Sequence, residues 1–178
     1  HFYAQLADAS LKDELQINAA AVSGVCTIDG KFLMGKRSQS LSQQPGWYEL
    51  LPSGGLDPDK KKEDGSIDFF SQLKSELHEE SGFSSDLIEE MNLLGIIFNF
   101  QDDIVDICVE MKLSSDALKI DLAQNNTNEY EKLFWLDKKE VLDFIQSEPL
   151  IVPTSRTLLN MQQSQLSLSV NQKACIDL

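Results

Sequence analysis

Between Ile67 and Ser81 the apolar residues Phe69, Phe70, Leu73 and Leu77 recur at intervals of about three to four positions, and Gly82 follows directly. That spacing places them on one face of a helix, and glycine is the residue that most readily closes a helix C-terminus in the left-handed conformation. Ser66 stands where an N-cap is expected. The spacing therefore predicts a helix over about 67–81. Such a stripe is stable only when packed against another apolar surface, so the rest of the chain must provide one.

That surface is legible as strands. INAAAVSGVCTI (17–28) is small and β-branched, and Asp29-Gly30 before KFLM (31–34) reads as a hairpin turn. LLGIIFNFQ (93–101) and IVDICVEMKL (104–113) form a second hairpin candidate around Asp102-Asp103, and EYEKLFWL (129–136) a further strand. The Ser-, Gln-, Gly- and Pro-rich run 35–55 reads as a long loop with a short strand around Trp47 to Leu51, and the charged run 56–66 as a surface loop. Residues 114–123 suit a short helix or a loop, 138–147 a helix, and TSRTLLNMQQSQL after Pro153 a last helix. The order strands, helix, strands, helix suits an α+β layered domain better than alternating βαβ units. We expect an N-terminal arm at 1–16, one domain over 17–165 and a Ser/Gln-rich C-terminal tail at 166–178.

Charge narrows the function classes. The 178 residues hold 29 acids and 15 bases, a formal net charge of −14. That field repels nucleic acid and anionic lipid, so neither is an expected partner. It equally repels a diphosphate, so a chain of this kind that handles one needs a local cation, either a metal or a placed Arg or Lys. Cys26, Cys108 and Cys175 are far apart with no CxxC spacing, which fits a reduced, cytoplasmic setting with buried thiols. No stretch reaches the ~18 apolar residues of a membrane span.

The predicted helix also carries acids. With Glu76 taken as zero, Glu79 falls near about −60° and Glu80 near about +40°, while Leu73, Leu77 and Phe70 fall between about +60° and +120°. The acids form a face beside the buried stripe. They repel one another and sit toward the helix C-terminus, where the helix dipole disfavours negative charge. A hard divalent cation would relieve both penalties. The plainer reading is a solvated acidic face on an acid-rich chain. His78 points near about −160° and reads as exposed.

The surroundings favour the metal. SELHEESGF (75–83) resembles the second half of the Nudix family pattern G-x5-E-x7-R-E-U-x-E-E-x-G-U, where U is aliphatic or bulky apolar. Glu76, Leu77, Glu79, Glu80, Gly82 and Phe83 match in register. PSGG (52–55) resembles the glycine pair that opens the pattern, and GKRS with PGWYEL is similar to the strand and loop leading into it. Two departures stand out. Ser75 replaces the arginine that orients the metal-binding glutamate, with Lys74 one place off; and the interval from Gly55 to Glu76 is about six residues longer than the pattern, with Glu63 and Asp64 as imperfect substitutes for its upstream glutamate.

The resemblance implies a Nudix fold, an α/β/α sandwich around a mixed sheet, and a metal-dependent pyrophosphohydrolase that cleaves a nucleoside diphosphate linked to X. It implies Mg2+ or Mn2+ bound by Glu76, Glu80 and Glu79, with the Gly55 carbonyl completing the set and Glu79 as ligand or helper in catalysis. Glu129 is the preferred general base, with Glu131 second, and Arg37 is a candidate for substrate phosphate. The lengthened box and the run RSQSLSQQPGWYELLPSGG are similar to a divergent branch acting on UDP-sugars, with ADP-ribose, dinucleotide polyphosphates and oxidised nucleotides open. A small-molecule partner and a homodimer are compatible with this reading. Two alternatives stay open: a binding module without turnover, which Ser75 favours, and an isomerase related to isopentenyl diphosphate isomerase. Trp47, Phe98, Phe100 and Trp135 are candidates to stack a base, or else core.

Overall fold

A computed structural model describes residues 8–11, 18–57, 61–100, 102–124 and 127–174. The first hairpin is as expected: β1 (Ala19–Ile28) and β2 (Lys31–Arg37) flank Asp29 and Gly30, whose φ values of 45° and 75° give the twist that a two-residue hairpin needs. β1 and β2 pair only at Thr27–Phe32 and Ile28–Lys31. Beyond that point they part, and a second short strand fills the opening. β3 (Tyr48–Leu50) pairs with β2, whereas β4 (Ser53–Gly55) crosses to β1, with Gly54 opposite Val22. PSGG lies in the run expected to be a loop, and its small residues Ser53–Gly55 instead form β4.

The helix α1 (Phe69–Ser81) starts two residues later than the spacing predicted. Its cap is Asp68, whose carboxylate accepts from the Ser71 amide, rather than Ser66, whose own amide and hydroxyl are drawn to Asp64. An aspartate three residues before a free helix amide competes on equal terms with serine, so spacing alone did not separate them. Gly82 ends the helix at φ 70°, as expected.

β5 (Ile88–Asn99) begins five residues before the apolar run suggested, because Glu89 and Glu90 lie on its exposed side; it pairs antiparallel with β6 (Ile104–Leu113). β6 lies parallel to β1 along most of its length, which makes the sheet mixed. β7 (Tyr130–Asp137) pairs with β2. Residues 115–119 and 122–124 form short 3-10 turns, and the chain ends in α2 (Val141–Ser147) and α3 (Pro153–Ala174). The order β3-β2-β1-β6-β5, with β4 on β1 and β7 on β2, gives one seven-stranded sheet.

Each face of the sheet carries a core. Val22, Cys26, Leu33, Leu51 and Val109 meet Leu73, Leu77 and Phe83 beneath α1. Val25, Phe32, Met34, Leu50 and Leu136 meet Val141, Leu158 and Leu159 of α2 and α3. This is the expected α+β arrangement, helices on both sides of a mixed sheet. Of the expected N-terminal arm, only residues 8–11 lie within the described residues, and Ala9–Leu11 form a 3-10 turn. No helix among the described residues is long and apolar enough to cross a membrane.

Candidate active site

The parting of β1 and β2 creates the site. β3 and β4 turn across it, and α1 lies over β4, so that Glu76 and Glu80 face the small residues of PSGG. The Glu76 carboxylate rests on Gly54 so closely that a Cβ there would run into it. One turn earlier on α1, Gln72 donates from Nε2 to Glu76 Oε1 at 2.6 Å. Gln72 thus does part of the orienting that the missing box arginine would do. Its own Oε1 is buried without a hydrogen-bond partner.

Glu80 is the most enclosed acid, 2 % exposed. Its carboxyl accepts from the Ser53 amide at 3.1 Å and meets the Tyr130 hydroxyl at 3.2 Å. Tyr130 also reaches Glu49 at 3.1 Å, and Ser53 Oγ donates to Glu49 at 2.7 Å. Gly35 leaves room for the Tyr130 ring, which a side chain there would strike. A hydroxyl has one proton and can donate to only one of the two carboxyls. The second contact is satisfied when Glu80 keeps its own proton. Burial, then the negative charges of Glu49, Glu129 and Glu76, push the Glu80 carboxyl well above its ordinary range, against the opposing Ser53 amide. Burial and the same two neighbours, Glu49 and Glu80, raise Tyr130 as well.

The remaining sequence candidates separate. Glu79 is exposed and does not join Glu80 in the interior; His78 is exposed, as expected. Gly55 ends β4, paired with Ala21, with no side chain to hinder approach to its carbonyl. Glu129 is exposed beside the start of β7, and its charge is felt at both Glu80 and Arg37. Glu131 turns the other way, to Lys36 at 3.0 Å and the Gln39 amide. Arg37 binds Glu49 through Nη1 and the Gln43 carbonyl through Nη2, while its buried Nε has no partner. Burial opposes its charge, and Glu49 more than offsets that, keeping the guanidinium protonated. Asp64 is exposed and engaged with Ser66.

Glu49, Tyr130 and Gln72 were not singled out from sequence. Glu49 had a signal: a lone acid between Tyr48 and Leu50-Leu51 in an otherwise apolar strand. Tyr130 had strand alternation, which turns it away from Glu131 and into the site.

A cavity of about 490 Å3 adjoins this cluster. Arg37, Glu49, Ser53 and Gly54 form the wall shared with the acids, and Asn99, Asp102 and Asp106 lie among its other lining groups. Asp106, 6 % exposed, accepts from Ser23 Oγ at 2.9 Å and Thr154 Oγ1 at 2.6 Å. None of the four aromatic candidates lines the cavity. Trp135 packs on Phe83, and Phe98 and Phe100 point outward.

The donors are hard oxygens gathered around an excess of negative charge, the chemistry that suits a divalent cation. Among the described residues, however, no three acidic, His or Cys side chains already converge as a chelate. The pieces fit in kind and charge: a cation between Glu76 and Glu80 would favour the charged form of Glu80, against the burial and neighbouring carboxylates that raise it.

No family model matches this sequence, and no curated protein does. Solved structures do. DR0079 from Deinococcus radiodurans is 16 % identical, with a TM-score of 0.61 over 80 % of this chain and 82 % of that one. The MutT protein from Methanosarcina mazei Go1 is 15 % identical, with a TM-score of 0.58 over 83 % and 94 %. The Nudix domain of Shewanella oneidensis NrtR, solved with ADP ribose, is 16 % identical, with a TM-score of 0.57 over 92 % and 97 %. The longer NrtR chain, of which this chain spans 62 %, has been solved with a 27mer DNA. The chain therefore has the Nudix fold. At such identities the likeness extends to the fold alone.

Proposed function

We propose that this chain is a metal-dependent hydrolase of phosphoanhydride bonds, acting on a nucleoside diphosphate linked to a further group. The observation that carries this reading is the placement of Glu80: a buried acid, in register with the family pattern, whose charge is opposed by three other carboxylates and which is bonded to the amide of Ser53, a residue of β4 that lines the cavity. Glu76 and Glu80, with Glu79 and the Gly55 carbonyl, would hold Mg2+ or Mn2+. A cation there supplies polarisation of a phosphoryl oxygen and a more acidic attacking water. Gln72 keeps Glu76 turned toward β4, Tyr130 bridges the carboxyls of Glu49 and Glu80, and Glu129 is the candidate to accept the water's proton. A phosphate contact from Arg37 would require it to turn, because Nε is buried, Nη1 is held by Glu49 and Nη2 by the Gln43 carbonyl.

The cavity suits the organic part of the substrate better than its phosphates, because Glu49, Asp102 and Asp106 line it. The ADP ribose complex of NrtR makes ADP-ribose the first substrate to try, with UDP-sugars retained from the lengthened box. Nucleic acid is left out on grounds of net charge, since the NrtR–DNA complex shows that the fold itself does not exclude it. A second reading, a ligand-binding module without turnover, is favoured by the outward Glu79 and the engaged Arg37. Incubation with ADP-ribose, UDP-glucose, NADH and diadenosine polyphosphates in Mg2+ or Mn2+ separates the two. Mononucleotide release that falls at least about a hundredfold in Glu79→Gln/Glu80→Gln supports the hydrolase. Ligand binding without release by any of them overturns it in favour of the module.

A further inference from the structure

β5 is an edge strand, bonded only to β6 among the described residues. It runs twelve residues, and from Met91 to Phe100, one residue past its end, the chain carries no charge. Leu93, Ile96, Phe98 and Phe100 are 57 %, 60 %, 56 % and 84 % exposed. Leu93, Ile96 and Phe98 pair across β6 with Val109, Ile107 and Val105, and Val109 and Ile107 belong to the core beneath α1. The exposed row is therefore the outer continuation of that core, on the part of the sheet that α1 does not cover. Phe98 and Phe100 stack on each other at 6.1 Å and leave their outer surfaces open. Edge strands are ordinarily blunted by charge, proline or a bulge, and along this run β5 has only the bulge between Leu93 and Gly95.

We propose that this face of β5 is where a second copy of the chain docks, two copies meeting about a two-fold axis with their apolar rows in contact. Two arguments favour a second copy. The first is charge. At −14 per chain, two copies repel almost everywhere, and the uncharged row is a zone where they can meet without opposing like charges. At its rim Glu90 is already paired with Lys112 at 2.6 Å, and Asp102 with Asn99. The second is area. The exposed parts of the four side chains amount to about 500 Å2 per copy. Two copies thus bury about 1,000 Å2, near the lower bound of a specific interface. A self-matching patch closes as a dimer and does not extend into a filament. The result is a dimer that dissociates on dilution and, because the remaining rim is acidic, tightens with salt. Asn99 and Asp102 also line the cavity, so the interface abuts the candidate site through the β5–β6 turn.

Sedimentation velocity across about a hundredfold range of concentration tests this. The mass should move from 20.0 kDa toward twice that value, at lower concentration in high salt. Ile96→Lys and Phe98→Lys should each weaken association at least about tenfold. Leu142→Lys, an equally exposed apolar site on α2, should leave it unchanged. Should the lysine variants not fold, Phe98→Cys with Cys175→Ser gives a second route. Cys26 and Cys108 are buried, so an intermolecular disulfide at position 98 reports the two-fold contact. A chain that stays monomeric at every concentration and salt overturns the proposal. So does association that Phe98→Lys leaves intact, or a folded Phe98→Cys variant that neither cross-links nor associates more weakly than the parent chain.

Discussion

At Glu80 a buried carboxyl shares the Tyr130 hydroxyl with Glu49, and the sign of its linkage to stability follows. Burial first, and then Glu49, hold its folded pKa above the ordinary value, so the folded chain binds that proton more tightly than the unfolded one. Its contribution is complete below the unfolded value of about 4.3 and is lost as pH rises through the higher folded value. In chelator the stability of the chain should therefore decline over that interval, and Glu80→Gln, which is always neutral, should remove this part of the decline. Urea melts from about pH 4 to pH 8 decide it, and an unchanged slope would count against a shared proton. Gln72 gives a second expectation. Gln72→Leu removes the 2.6 Å hydrogen bond to Glu76 and should weaken the Mg2+ dependence of turnover by about tenfold, as second-layer partners of metal ligands do. Equal Mg2+ dependence would mean that another group orients Glu76. The sequence pointed to the helix acids because their register is local, a matter of three- and four-residue spacing. It did not point to Glu49, Gln72 or Tyr130 because their roles come from contacts across 81 and 50 residues of chain, or from a side-chain amide that carries no charge to draw attention. It placed Glu79 in the site on register alone, while the fold leaves that side chain on the solvent side of α1.

The elements that matter most are β4 and α1, whose backbones come close because PSGG has almost no side chains. Gly54→Ala would set a methyl against the Glu76 carboxylate, the end of a side chain that can swing aside, so the cost in stability should be at most about 1 kcal/mol while Glu76 leaves its place. Gly82→Ala, which forces alanine into the left-handed conformation at the helix end, should cost about 1 kcal/mol through strain alone. The two are distinguishable. Both lower Tm, but only Gly54→Ala should displace Glu76 and reduce metal-dependent turnover beyond the loss of folded protein. Thermal melts read alongside activity per folded molecule test this, and a parallel loss in Gly82→Ala would remove the special status of Gly54. Strong periodicity made α1, β1, β2, β6 and β7 legible. β4 was missed because three small residues carry no apolar alternation; what makes it a strand is the unpaired edge of β1 left when β2 departs. β5 was started late because its first residues are acids on an exposed side, where alternation reads as loop.

At the scale of the whole molecule the dominant fact is charge, and it bears on rate before it bears on chemistry. A chain of net −14 meeting a nucleoside diphosphate derivative is an encounter of like charges. Among the described residues Arg37 is the one cation that lines the cavity, and Glu49 already neutralises it. Nothing in that wall draws an anion inward, so long-range repulsion slows arrival until salt screens it, with a Debye length of about 8 Å near physiological ionic strength. For the proposed hydrolase, kcat/KM at fixed free Mg2+ should therefore rise several-fold between about 0.01 M and about 0.15 M NaCl and then level off, while kcat changes little. An enzyme steering its substrate with a built cationic patch would show the opposite slope. If kcat/KM falls with salt, a cation outside this wall guides the substrate. The acid cluster around Glu80 would then be offset before the substrate arrives, and not by what arrives with it.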